Sequence, residues 1–160
     1  MTAAVQVSYT FHAPRDIVFQ AFTDSNQLRD WWGPKGWPFH VAAFEARQGG
    51  IFHYSQTSPE GDVMWVKFEY VDVRPSEKIE YISFFSDAEG NAARAPFHEN
   101  WPMATRHTLT FEERDGTTEV TMIAEPVSPT EEELRTFEDS LDMIREGFAG
   151  TFAQLAERLQ

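Results

Sequence analysis

The sequence predicts an α+β fold in which a curved antiparallel sheet of about seven strands packs across one long C-terminal helix, with two short helices after the first strand. Three observations predict it: period-two alternation near the N-terminus, a train of strand-like runs divided by turn signals, and an apolar stripe at helical spacing toward the C-terminus. With 160 residues, 41% of them hydrophobic, the chain can bury a sizeable core and is expected to form one domain over 1–160.

Val5, Val7, Tyr9 and Phe11 alternate with Gln6, Ser8, Thr10 and His12, the pattern of a half-buried strand that ends before Pro14. Ile17, Val18, Ala21 and Phe22 then follow helical spacing, and Asp24 or Ser25 can cap a second short helix that continues through Leu28 to Trp32. Gly33, Pro34, Gly36 and Pro38 forbid regular structure, after which Phe39 to Ala46 resumes as a strand. Gly49-Gly50, Ser58-Pro59-Glu60-Gly61, Arg74-Pro75-Ser76-Glu77 and Asp115-Gly116 mark off further runs at Ile51–Gln56, Val63–Val73, Lys78–Phe85, Met103–Glu113 and Thr117–Glu125. This regular punctuation describes an antiparallel meander. Only Ser86–Pro102, with two prolines and a glycine, breaks the rhythm, and a long irregular connection of that kind suits a binding lid as well as a spacer.

The final helix carries the clearest local signal. Leu134, Phe137, Leu141, Ile144, Phe148, Phe152, Leu155 and Leu159 fall within about an 80° stripe at 100° per residue. Thr130 and Glu133 make a capping box, and Glu131 to Glu133 complement the helix dipole. An uninterrupted helix from Glu131 to Leu159 would run on the order of 43 Å, enough to cross a sheet. Gly147 and Gly150 each cost such a helix about 1 kcal/mol relative to alanine, so their presence asks for either close packing or room for something else.

Composition narrows the function. A formal charge of −13 and a pI near 4.7 oppose binding to nucleic acid or an anionic bilayer. The absence of cysteine rules out disulfides and thiolate chemistry and fits a cytoplasmic address. Met1 to Phe11 lack a basic segment followed by an apolar one, so no signal segment is expected there, and no apolar run is long enough for a membrane span. His12, His40, His53 and His98 lack metal-ligand spacing, and neither a nucleophile elbow, a P-loop nor a dinucleotide fingerprint occurs, so no metal and no cofactor is expected.

The element order, together with FHAPRDIVFQAFTD from Phe11, WWGPKGW from Trp31, FSDAEGN from Phe85 and the segment from Thr130 to Leu159, resembles the START-like (SRPBCC, helix-grip) superfamily. Within it the chain is similar to the branch related to the activator of the ninety-kilodalton heat-shock chaperone. The resemblance implies a cavity between sheet and C-terminal helix and members that bind lipids, polyketides, hormones or other apolar molecules. It implies no shared catalytic set. The chaperone activator carries an additional chaperone-binding domain, which these 160 residues are not expected to hold beside the first, so the activator's own activity is not expected to transfer.

Candidate site residues follow from strand faces and helix spacing. Alternation from Met103 places Thr105, His107, Leu109 and Phe111 on one face, and an imidazole among apolar neighbours can hydrogen-bond a ligand, act as acid or base, or serve as a satisfied core group. Tyr54, Phe68 and Tyr81 belong to like-facing strand positions whose hydroxyls can reach the same interior or sit at a sheet edge. Met64 and Trp101 would complete the wall, with Gly147, Phe148 and Phe152 on the helix side. Trp31, Trp32 and Trp37 would either frame the pocket entrance or form an exposed patch.

Three readings follow. The first is a binder of an apolar or aromatic small molecule, lipid or polyketide-like, at His107, Tyr54, Phe68, Tyr81, Met64, Trp101, Leu109, Gly147, Phe148 and Phe152. The second is a cyclase or aromatase in which His107 and a tyrosine guide proton transfer. The third is a chaperone-linked interaction module using the acidic helix face and the tryptophans. A monomer and a homodimer are both compatible with the sequence.

Overall fold

The computed structural model describes residues 4–33 and 36–159; Pro34 and Lys35, within the WWGPKGW motif, lie outside the described residues. In β1 (Val5–Phe11) the apolar set Val5, Val7 and Phe11 is buried while Gln6, Ser8 and Thr10 meet solvent, as strand pleating requires of an alternating sequence. Pro14 precedes α1 (Arg15–Thr23), and its fixed φ and missing N–H suit a helix start. Asp24 caps α2 (Ser25–Trp31) by accepting the Asn26 N–H at 2.9 Å.

Six more strands follow: β2 (Phe39–Phe44), β3 (Ile51–Thr57), β4 (Val63–Arg74), β5 (Lys78–Ser86), β6 (Thr105–Arg114) and β7 (Thr117–Pro126). They join β1 in one antiparallel sheet of order β1-β7-β6-β5-β4-β3-β2. The consecutive strands β1 and β2 therefore lie at opposite edges, and α1 and α2 carry the chain between them. Register shifts between Val41 and Ala43 and between Tyr70 and Asp72 add bulges, which bend and twist strands. At the β6–β7 hairpin Asp115 and Gly116 both take positive φ, 54° and 80°, the geometry for which an Asp-Gly pair is suited.

The C-terminal helix is not continuous. It divides into α3 (Glu131–Asp139) and α4 (Leu141–Arg158), with Ser140 between them at φ −108° and ψ 8°. The Ser140 N–H bonds the Phe137 carbonyl three residues back, and its hydroxyl donates to the Thr136 carbonyl at 2.8 Å. Tightened backbone bonding and a serine competing for a helical carbonyl are a local cause of such a break. The expectation of a single helix from Glu131 to Leu159 is corrected accordingly: α4 alone, with 18 residues and roughly 27 Å, lies across the sheet. The capping box stands as expected, with Thr130 Oγ1 accepting from the Glu133 N–H and Glu133 Oε1 accepting from the Thr130 N–H.

The core gathers where α1, α2 and the C-terminal half of α4 meet β1, β6 and β7. Phe22 packs edge-on against Trp31, Phe111 and Phe152 at centroid distances of 4.8, 5.4 and 6.1 Å. The Trp31 indole donates to the Ala21 carbonyl at 3.2 Å, and buried Thr118 donates to the Ala13 carbonyl at 2.8 Å, so polar groups taken into this core are satisfied.

The irregular stretch between β5 and β6 is pinned rather than loose. The Ala93 N–H bonds the Phe85 carbonyl, and Arg94 Nη1 reaches Glu133 Oε2 at 2.6 Å and the Trp101 carbonyl at 3.1 Å. The Trp101 ring rests 5.9 Å from Phe137. The segment thus forms a wall fastened to α3. Among the described residues no helix is long and apolar enough to cross a membrane.

Candidate functional site

Where the closed core ends, the inner face of the sheet and α4 stand apart and border a cavity of about 730 Å³ that opens to solvent. Its floor comes from inward positions of β3 to β6, its roof from α3 and α4, and one side from the β5–β6 segment. Of the ten residues expected from the sequence, the structure brings eight to this cavity: Tyr54, Met64, Phe68 and Tyr81 on the floor, His107 beside them, Trp101 from the wall, and Gly147 with Phe148 from the helix. Leu109 and Phe152 correct that expectation. Leu109 is 1% exposed and sits beneath α1 and α2 with Phe22 and Leu28, and Phe152 is fully buried against Phe11 and Phe22. Both share an inward face with true lining residues, but the helices after β1 cover their end of the sheet.

Parallel aromatic rings cross the floor from strand to strand. Phe68 stacks on Tyr81 at 4.0 Å and 13°, and Tyr81 stacks on His107 at 4.8 Å and 9°, which follows from the pairing of Tyr81 with His107 across β5 and β6. Phe148 meets the His107 ring at 5.6 Å from the helix side. Trp32 closes another side, and its indole donates to the Tyr54 hydroxyl at 3.0 Å, so the tryptophans of the motif are tucked in rather than displayed as a patch: Trp31 and Trp32 are buried and Trp37 is half-buried.

Two polar atoms in this apolar setting have no hydrogen-bond partner among the described residues: Tyr81 Oη and His107 Nδ1. The other imidazole nitrogen, His107 Nε2, pairs with Thr105 Oγ1 at 2.9 Å. Burial pushes the His107 pKa down to about 3 and raises that of the Tyr81 phenol well above its ordinary range, so both groups are neutral near pH 7. Tyr54 is likewise held protonated by burial.

The glycines of α4 face open space. Apart from its chain neighbours and the backbone of its own helix, a Cβ at Gly147 or Gly150 would meet no atom within 4 Å, so these residues do not serve close helix–sheet packing; they thin the helix where it borders the cavity. Exposed Met143 and Phe97 flank the same opening. Sequence reasoning missed several lining residues: Phe137 and Ile144 belonged to the helical stripe without being assigned to the cavity, and Gln56, Ser83 and Gln154 carried no signal. Thr151 did carry one, since it lies on the flank of the stripe that also holds Gly147. Among the described residues no three His, Cys, Asp or Glu side chains are grouped to hold a metal.

Similar solved structures share this architecture across nearly their whole length. Protein Ms6760 from Mycobacterium smegmatis is 26% identical, with 99% of this chain and 91% of that one covered at a TM-score of 0.80. A protein from Staphylococcus epidermidis is also 26% identical, with 99% and 90% covered at 0.79. The AHSA1 protein from Silicibacter pomeroyi, at 16% identity and a TM-score of 0.73 over 98% of this chain and 97% of that one, shows the fold alone. No curated protein matches the sequence. The family model described as activator of Hsp90 ATPase homolog 1-like protein matches residues 12–160, and with the helix-grip architecture in place the chain belongs to that family of the START-like superfamily.

Proposed function

We propose that the chain acts as a single binding unit for an apolar or aromatic small molecule held between the sheet and α4. One observation carries this reading: a cavity of about 730 Å³, walled largely by aromatic and aliphatic side chains, opens beside glycines that pack against nothing. A cavity of that size lies within the range of small-molecule sites, and a mostly apolar lining with a few polar groups is their usual composition. A helix that keeps two glycines at about 1 kcal/mol each while leaving open space beside them makes sense if that space is used.

The neutral character of His107 and Tyr81 favours hydrogen bonding over proton transfer. An imidazole held near pKa 3 is a poor general base at neutral pH, and a phenol held protonated is a poor general acid. Binding is therefore preferred to cyclase or aromatase chemistry. Family membership also raises a chaperone contact, and the exposed acids of α3 and α4 are the surface on which it would be sought.

Native mass spectrometry of gently purified protein tests the proposal. An adduct of roughly a few hundred daltons, lost in Gly147→Leu, is the expected result. A clean mass, together with no thermal stabilisation by a panel of fatty acids, sterols and polyketides, would overturn it and move the search to extract pull-downs.

A further inference from the structure

Within that binding reading, on which this inference rests, we infer that the cavity selects uncharged ligands bearing a hydroxyl or carbonyl group, which pairs with Tyr81 Oη and His107 Nδ1, and discriminates against carboxylates of the same shape. The two residues line one cavity, pair directly across β5 and β6 with stacked rings, and each carries a buried polar atom without a partner among the described residues. Their side chains belong to residues only 4% and 6% exposed. Buried polar atoms left unpaired are costly, so a ligand that supplies their missing bonds gains more than one that only fills volume.

The pairing chemistry is complementary to a neutral oxygen. The Tyr81 hydroxyl can donate and accept. His107 Nδ1 donates when Thr105 donates to Nε2, and accepts in the other tautomer. A ligand carbonyl can take two donors here, and a ligand hydroxyl can give to one atom while receiving from the other.

A carboxylate meets a different environment. Among the described lining residues the charged side chain is Glu146, which repels it, and none is Lys or Arg. His107 would have to gain a proton against the same burial that keeps it neutral. A carboxylate entering this cavity would lose its hydration without a counter-charge, the most expensive form of burial. Fatty acids are thereby disfavoured relative to alcohols, phenols and ketones of equal bulk.

The test uses three fluorescent probes of matched shape, methylpyrene, pyrenemethanol and pyrenecarboxylate, titrated into the full chain at neutral pH. Pyrenemethanol is expected to bind about tenfold tighter than pyrenecarboxylate and about fivefold tighter than methylpyrene. In the Tyr81→Phe, His107→Leu double variant the advantage of the alcohol over methylpyrene should fall to about onefold, because the partners of its oxygen are gone. Carboxylate binding as tight as the alcohol, or an alcohol advantage that survives in the double variant, overturns the inference while leaving the binding reading intact. Failure of all three probes to bind overturns both.

Discussion

Phe148 and Phe152 lie one helical turn apart on α4, yet they belong to different parts of the molecule. Phe152 is fully buried, with Tyr9, Phe11 and Phe22 around it at 6.1 to 6.4 Å. Phe148 is half-buried and turns toward Trp32 and His107 across the cavity. The closed end of the sheet is filled because α1 and α2 add a layer of aromatic side chains there. At the other end α4 offers glycines and the sheet offers a histidine and tyrosines, so the layers do not meet. One fold thus combines a close-packed half, which supplies stability, with an open half that carries polar atoms lacking partners.

The sharpest challenge to this contrast is truncation on each side of the boundary. Phe152→Ala should destabilise the protein by about 3 to 5 kcal/mol, as for a large residue removed from a close-packed core, whereas Phe148→Ala should cost about 1 to 2 kcal/mol because space already adjoins it. Denaturant unfolding of the two variants checks this; equal losses would erase the distinction between the halves.

Acid titration probes the open half next. The folded-state pKa of His107 is depressed from 6.5 to about 3, so its contribution to stability is present above 6.5 and is lost as pH falls toward 3. Between pH 6.5 and 5, before carboxylates titrate strongly, this one group should remove roughly 2 kcal/mol at about 1.4 kcal/mol per pH unit. His107→Leu should lose that slope in urea unfolding measured against pH, and a variant as acid-sensitive as the parent would show that the imidazole is not buried neutral.

The wall beside the cavity depends on Glu133, whose carboxyl is held below its usual range by Arg94 and by the Thr130 N–H. That contribution is present above about 4.5 and lost as pH falls through the folded pKa. Glu133→Gln should cost about 1 to 2 kcal/mol and speed hydrogen exchange over residues 93–101, with the helix cap and the wall loosening together. Gly147→Ala should have the smallest effect and the opposite sign. It should stabilise the protein by up to about 1 kcal/mol, since alanine favours the helix and its methyl group meets nothing; a loss of stability would reveal a close approach at that site.

Much of this arrangement can be read along the chain. Alternation in β1 and β6 assigns inward faces correctly, including that of His107, because strand pleating makes facing a purely local property. Asp24 at the start of α2 and the Thr130–Glu133 box are legible for the same reason, since caps are made within one turn. The break at Ser140 escapes the periodicity because the stripe keeps its phase across it. The aromatic residues of the floor could be listed in advance, but not sorted into core and cavity.

What the sequence by itself determined is therefore the strands, their turns, the caps and the inward set of side chains, all governed by interactions between residues close along the chain. Tertiary structure alone decided which inward residues border open space: Leu109 and His107 are two positions apart on one face of β6, and only the placement of α1 and α2 covers the first and leaves the second beside the cavity. That choice depends on how far distant segments reach over a shared sheet, and no local pattern of residues encodes such a distance.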